Sequence, residues 1–156
     1  MALQIKNNEL KNFWECVYEL TQKGELAIGR DFRIINKMTL KTNSVNKEFF
    51  PSKLILYIRP SRIFPLYQRH CHRLGKTFLS RTSLKYYLES SKEYFGIKNS
   101  MRFKSVTKTQ VGKKEEVNEA SSKPQIDRVM CFDYEAVMNN YGIDINSYVP
   151  EDMPDE

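Results

Sequence analysis

Apolar residues recur at helical spacing near the start of the chain. Leu10, Phe13, Trp14, Val17 and Leu20 share one face of a helix predicted from a cap at Asn7 or Asn8 to about Lys23. Gly24 suits the position just past its end. Short extended pieces follow at Ala27–Ile28 and Phe32–Ile35, with Gly29 as the turn between them. Residues 36–49 are polar and mixed; they read as loop, with a weak strand near Met38–Leu40. Lys53–Ile58 is a short apolar run rich in strand formers.

Pro60 suits the first turn of a second helix, because its missing N–H is one that a helix start leaves unbonded. Ile63, Tyr67, Cys71 and Leu74 form its apolar face, Arg62, Arg69, His72 and Arg73 its opposite side, and Gly75 its end. After an extended Thr77–Leu79, Ser80 or Thr82 caps a third helix to about Ser90, with Leu84, Tyr87 and Leu88 facing inward and Arg81 and Lys85 outward. Ser91 starts one further turn, closed at Gly96. Met101–Val106 alternates with a period of two, which predicts a half-buried strand with Arg102 and Lys104 on its wet face. Residues 107–127 hold no apolar cluster and read as a long loop. Val129–Phe132 is a strand suited to pair antiparallel with 101–106. Asp133 caps a last helix with Val137, Met138 and Tyr141 as its stripe and Gly142 as its end. The acidic stretch from Pro150 reads as a disordered tail.

Between residues 60 and 133 the order is helix, extended piece, helix, turn, strand, long loop, strand. That is the order of a winged helix, so the expected class is α+β: a winged-helix-like domain over 59–149, with helices packed on a β-hairpin whose long loop is the wing. Residues 1–58 are then an N-terminal extension of helix and short strands, and 150–156 the tail.

The chain's 156 residues are 40% apolar and 28% charged, which is one domain's worth of material with enough apolar content for a core. No apolar run is long enough to span a bilayer, and Met1–Lys6 lacks the stretch of a signal peptide. A cytoplasmic location is expected, with no membrane partner. Cys16, Cys71 and Cys131 are odd in number, far apart and set among apolar residues, so they read as buried free thiols.

Charge changes the picture more. Residues 1–52 carry a net +2, residues 53–114 carry 15 basic and 2 acidic side chains for +13, and residues 115–156 carry −9. A block at +13 repels itself unless a polyanion neutralises it, and nucleic acid is the commonest such partner. The competing account is a solvated basic face screened by the chain's own acidic C-terminus.

Catalytic constellations are not found. Gly75-Lys76-Thr77 looks like the end of a phosphate-binding loop, but His70 stands where that pattern needs glycine and a helix precedes it where it needs a strand. His70 and His72 point about 200° apart on a helix, no other histidine exists to complete a zinc site, and Cys71 faces the core between two surface or boundary histidines. Cys71 also lacks an orienting acid for a nucleophile role. Asp133 and Glu135 at a helix start are explained by capping and the helix dipole. No metal, cofactor or enzymatic activity is expected.

The basic residues remain. Arg69, Arg73, Lys76, Arg81, Lys85, Arg102, Lys104, Lys108, Lys113 and Lys114 are the candidate nucleic-acid contacts, converging in a winged helix on one side with the wing along the phosphate backbone. Tyr86, Tyr87, Tyr94 and Phe95 are interleaved with this charge and read either as core aromatics or as a stacking platform.

Tyr67-Gln-Arg-His-Cys71, then Gly75, Leu79-Ser80 and Leu84 to Leu88, resembles the C-terminal winged-helix region of phage- and plasmid-type primase–helicase proteins. Phe13-Trp14 and Gly29-Arg30-Asp31-Phe32 resemble the segment joining the ATPase to that domain; Cys131-Phe132-Asp133-Tyr134 and Tyr141-Gly142-Ile143 resemble the closing strand and helix of relatives from mobile elements. The resemblance implies a DNA-binding accessory of replication machinery, on single- or double-stranded DNA, with a helicase or primase ATPase domain as its protein partner. Neither a P-loop ATPase nor primase motifs are present, so the resemblance implies an excised C-terminal domain or an independent small protein and carries over no catalytic role. The alternative expectation is a protein-interaction module whose basic face binds an acidic partner or its own tail.

Overall fold

A computed structural model describes residues 2–104 and 125–151. Its elements run α1 (Ala2–Gln22), β1 (Phe32–Lys41), β2 (Asn46–Ile58), α2 (Pro60–Arg73), α3 (Arg81–Glu89), β3 (Tyr94–Phe103), β4 (Gln125–Asp133) and α4 (Tyr134–Asn140), with a short 3₁₀ turn at Ile145–Ser147. The fold is α+β. Its antiparallel sheet has the order β1-β2-β4-β3.

Period two sorts the strands onto two faces. Phe32, Ile34, Leu56, Ile58, Met130 and Phe132 join the main core beneath the helices. There Phe13 meets Trp14, Phe64 and Tyr67 edge to face, and Trp14 meets Phe132. The predicted stripe of α1 (Leu10, Phe13, Trp14, Val17, Leu20) is all buried in this cluster. Ile35, Leu40, Ile55, Tyr57, Phe103, Val129 and Cys131 form a second, smaller core on the opposite face.

That second core exists because the sheet curls until its edge strands meet. At one end Lys104 N donates to Gly29 O at 2.8 Å and Arg33 Nη1 to Arg102 O at 3.0 Å. At the other end Asn43 N donates to Ile97 O at 2.9 Å, and Thr42 Oγ1 to Phe95 O at 2.7 Å. The second contact requires glycine at 96. Its φ is +121°, and a Cβ there would lie 2.8 Å from Asn43 Oδ1 and closer still to Thr42 Oγ1.

Several expectations are corrected. The first helix begins at Ala2, not at Asn7 or Asn8; no Pro or Gly in the first eight residues stops it. Residues 36–49 are strand apart from the turn, so β1 and β2 make a long hairpin. Thr42 Oγ1 accepts from Ser44 N and Val45 N at its turn, as polar turn residues do. The turn expected at 91–96 spans only 91–93, and β3 begins at Tyr94. The hairpin expected to stand under the helices by itself is therefore half of a four-stranded sheet, with β4 pairing to β2, and residues 1–58 supply the other half. Leu74, expected in the core, is 50% exposed. Glu151, expected in a disordered tail, donates its N–H to Ile34 O and bridges β1. The wing loop lies almost wholly at 105–124, outside the described residues.

Other local signals hold as read. Pro60 starts α2; Gly75 ends it at φ +70°, with Lys76 N donating to Cys71 O and Gly75 N to His72 O. Both bonds satisfy carbonyls that the helix end leaves open, so this glycine terminates a helix. Ser80 caps α3 and Asp133 caps α4 through their side-chain oxygens.

One polar knot closes the sheet at its Gly29 end. Asp31 is fully buried; it accepts from Ala27 N and Arg30 Nε through Oδ2, and from Arg62 Nε through Oδ1, each at 2.8 Å. Arg59, 6% exposed, donates to Arg30 O, Asp127 Oδ2 and Gln125 Oε1, and lies over the Phe103 ring. Asp31→Ala removes the acceptor of three donors and is expected to cost about 3–5 kcal/mol in denaturant unfolding. Arg62→Ala, whose side chain is 42% exposed, is expected to cost under about 1 kcal/mol.

Burial alone would raise the Asp127 carboxyl, but hydrogen bonds from Ser61 and Arg59 outweigh it and hold it below its ordinary 3.8. The unfolded chain then binds this proton more readily than the folded one. The carboxylate's stabilisation is complete above 3.8 and is lost as pH falls through the lower folded value. Asp127→Asn is expected to flatten the acid limb of a stability-versus-pH curve.

Candidate nucleic-acid interface

The predicted cations fall into separate groups. Arg69 and Arg73 occupy successive turns of the exposed side of α2, Lys76 follows in the connection, and Arg81 and Lys85 repeat the i, i+4 spacing on α3. The chain holds α2 and α3 together here: Tyr67 Oη accepts from Leu79 N at 2.9 Å, and Gln68 Nε2 donates to Leu79 O at 3.2 Å. Arg102 and Lys104 stand at the end of β3, where the sheet edges meet beside Arg33 and Gly29. Lys108, Lys113 and Lys114 lie outside the described residues.

Neutralisation of these charges is incomplete. Arg73 reaches Glu25 at 3.5 Å and Lys85 reaches Glu89 at 3.8 Å, both pairs well exposed and so worth little. Among the described residues, no ion pair holds Arg69, Lys76, Arg81, Arg102 or Lys104. The close acids face other arginines instead: Asp31 holds Arg30 and Arg62, Asp127 holds Arg59, and Glu151 grips Arg33 through Nε and Nη2.

The aromatics expected near this charge separate. Tyr94 packs on Phe132 at 5.4 Å, and burial pushes its hydroxyl up to about 12. Tyr87 is half-buried against the main core, and Tyr86 is 65% exposed. Phe95 lies on the other face of the sheet, and there the structure shows a group that the sequence reading missed. Lys47 Nζ sits 5.5 Å from the Phe95 ring centre, Phe95 and Phe49 are 5.8 Å apart, and Lys53 Nζ sits 5.9 Å from Phe49. These distances are within cation–π range. Next to Phe49, Phe50 is 93% exposed. The register explains why: Lys37 pairs with Lys53 and Thr39 with Glu48, so residues 49–52 of β2 stand against Met38 alone. The extra residues cannot join the ladder; Phe50 is thrown outward, while Phe49 packs against the second core. Two adjacent phenylalanines among lysines were the available signal, but a stretch read as loop offers no face on which to place them.

The residues around His70-Cys71-His72 are structural. His70 is buried, contrary to its expected boundary position, because Glu19 Oε1 lies 2.9 Å from its Nε2 and compensates its polarity. His72 is exposed. No three His, Cys, Asp or Glu side chains cluster as metal ligands among the described residues, and no described helix is long and apolar enough to cross a membrane.

No family model, curated protein or solved structure matches the chain. The residues that carried the resemblance to primase–helicase C-terminal regions do fold-building work here: Tyr67, Cys71, Leu84 and Leu88 are core, Gly75 ends a helix, and Ser80 caps one.

All three cysteines are buried and free. Burial raises the Cys16 and Cys71 thiols, and it pushes Cys131 up to about 12 against the opposing charge of Lys98 and Lys37. Thiolate is the reactive form. An aromatic disulfide reagent at mildly alkaline pH is therefore expected to titrate none of them in the native protein and all three in denaturant.

Proposed function

We propose that the chain is a DNA-binding module that contacts mainly the phosphate backbone. The observation that carries this reading is that Arg69, Lys76, Arg81, Arg102 and Lys104 are exposed and, among the described residues, held in no ion pair, while Asp31, Asp127 and Glu151 are engaged by other arginines. Such guanidinium and ammonium groups release counterions on meeting phosphates, which gives affinity without base reading. In this reading α2, α3 and the β3–β4 hairpin act as the winged-helix-like part, and the 105–124 segment with Lys108, Lys113 and Lys114 as its wing. A place in replication or mobile-element machinery, next to a helicase or primase ATPase, is supported by the motif resemblance alone.

A second reading, a protein-interaction module that takes acidic segments, is favoured by one contact: Glu151 of the C-terminal stretch is already docked on Arg33. The two readings separate when the chain is cut after Glu151. This keeps the buried Tyr148 and the Arg33 contact while removing three acids, Asp152, Asp155 and Glu156. The first reading expects tighter DNA binding, the second none with or without the tail.

The direct test is a salt titration of fluorescence anisotropy with labelled duplex and single-stranded DNA. Arg69→Ala, Lys76→Ala or Arg81→Ala is expected to weaken binding about equally for all sequences, each reducing the slope of log K against log salt by about 1. Unchanged affinity in all three variants would overturn the assignment.

A further inference from the structure

The lysine–phenylalanine group on the β1–β2 hairpin is not needed by the proposed helix and wing contacts. Its chemistry is that of a different part of a nucleic acid. Phe49 and Phe95 are half-buried, each with one lysine ammonium over its ring, and Phe50 stands almost wholly in solvent. Phe50 buries too little to serve the core. The bulge that presents it is fixed at both sides by ladder pairs, so its position does not depend on a free loop.

Charge complementarity identifies the occupant. Residues 36–53 carry Lys37, Lys41, Lys47 and Lys53 against one acid, Glu48. Another carboxylate, Asp133, accepts from Lys53 Nζ at 3.2 Å while capping α4, with that ammonium over the Phe49 ring. Cations spaced by rings match a strand in which phosphates alternate with bases. A base inside a duplex has both faces covered by its neighbours, whereas an unpaired base offers a free π-face to an exposed ring.

We propose that the solvent-exposed ring of Phe50, next in the strand to the half-buried Phe49, is a stacking site for bases of single-stranded nucleic acid, and that Lys47 and Lys53 of the same strand take the phosphates on either side. This rests on the DNA-binding reading and sharpens it: the helices hold backbone, and the hairpin selects unpaired strand. The selection is stacking without hydrogen-bonded base reading, so it tolerates any sequence.

The test uses the full chain and anisotropy with three labelled probes of equal length: an oligothymidine, its abasic counterpart and a duplex. Phe50→Ala is expected to weaken oligothymidine binding on the order of ten- to a hundredfold, to leave the abasic strand and the duplex unchanged, and to be rescued by Phe50→Trp. Its thermal midpoint is expected to equal that of the parent, because Phe50 packs little. Equal losses on duplex and single strand would overturn the strand assignment and point to a wedge between paired bases. An unchanged oligothymidine affinity overturns the stacking site while leaving the DNA-binding reading intact. Failure of the parent chain to bind any of the three probes overturns both. Flotation with vesicles of phosphatidylcholine and phosphatidylserine completes the set: vesicle capture that depends on Phe50, without oligothymidine binding, assigns the hairpin to a membrane surface and overturns the proposal.

Discussion

A carboxylate with no access to water organises one end of this molecule. Asp31 sits between α1 and β1, and it is tolerated there only because two arginines and a backbone N–H converge on it. Through Arg30 the same knot reaches Arg59, whose guanidinium ties β4 at Asp127 and covers Phe103 of β3. Asp31 also accepts through its backbone: its carbonyl receives the Arg59 N–H at the start of α2. One residue thereby joins the entry to β1, the exit of β2 and the start of the helical layer. The curl of the sheet depends on this, because the second core on its inner face is small and the edges must be held shut by polar bonds at both ends.

The closure divides the basic residues by role. Arginines near the knot are paired and structural: Arg30, Arg33, Arg59 and the more exposed Arg62. The remaining arginines of α2 and α3, with Lys41 and Lys47 of the hairpin, face outward. The high positive charge of the middle of the chain is therefore two populations, and only one is available to a ligand. A count over a sequence window cannot separate them. Arg59 and Arg62 fell inside the +13 block, yet their partners Asp31 and Asp127 lie about 30 and 70 residues away in the chain, a separation that only the folded topology closes.

The same distinction explains what was legible in the sequence. Local signals with a stereochemical cause could be read directly: Pro60 at a helix start, Gly75 in the left-handed region at a helix end, Ser80 and Asp133 as caps, and the apolar stripe of α1. The hairpin could not. Many of its residues face water, its register is interrupted by three extra residues in β2, and its period is broken just where Phe50 projects. Gly96 looked like the end of a helical turn, whereas it is glycine because Thr42 and Asn43 press against it from the hairpin turn more than 50 residues earlier. Read as loop, 36–49 left β3 and β4 with no sheet to join, and the helices-on-hairpin architecture followed from that omission.

The bulge has a consequence for the two surfaces taken together. The ladder holds β1 and β2 in register on both sides of residues 49–52, and the Thr42–Asn43 turn is bonded to β3, which in turn is bonded to β4. The exposed ring is thus carried by a braced ribbon, and so is its neighbour pair Phe49 and Phe95, each contributed by a different strand. A braced ring loses little freedom when a base stacks on it, so more of the stacking energy is retained as affinity than a ring on a free loop would allow. The cations of α2 and α3 lie beyond the main core, on the other side of the sheet from the inner cluster, and in the proposed reading they would act by charge alone. Screening weakens the second kind of contact far more than the first. If the chain binds DNA as proposed, rising ionic strength strips backbone binding from the helices before it strips stacking from the hairpin, and unpaired strand is the ligand that persists.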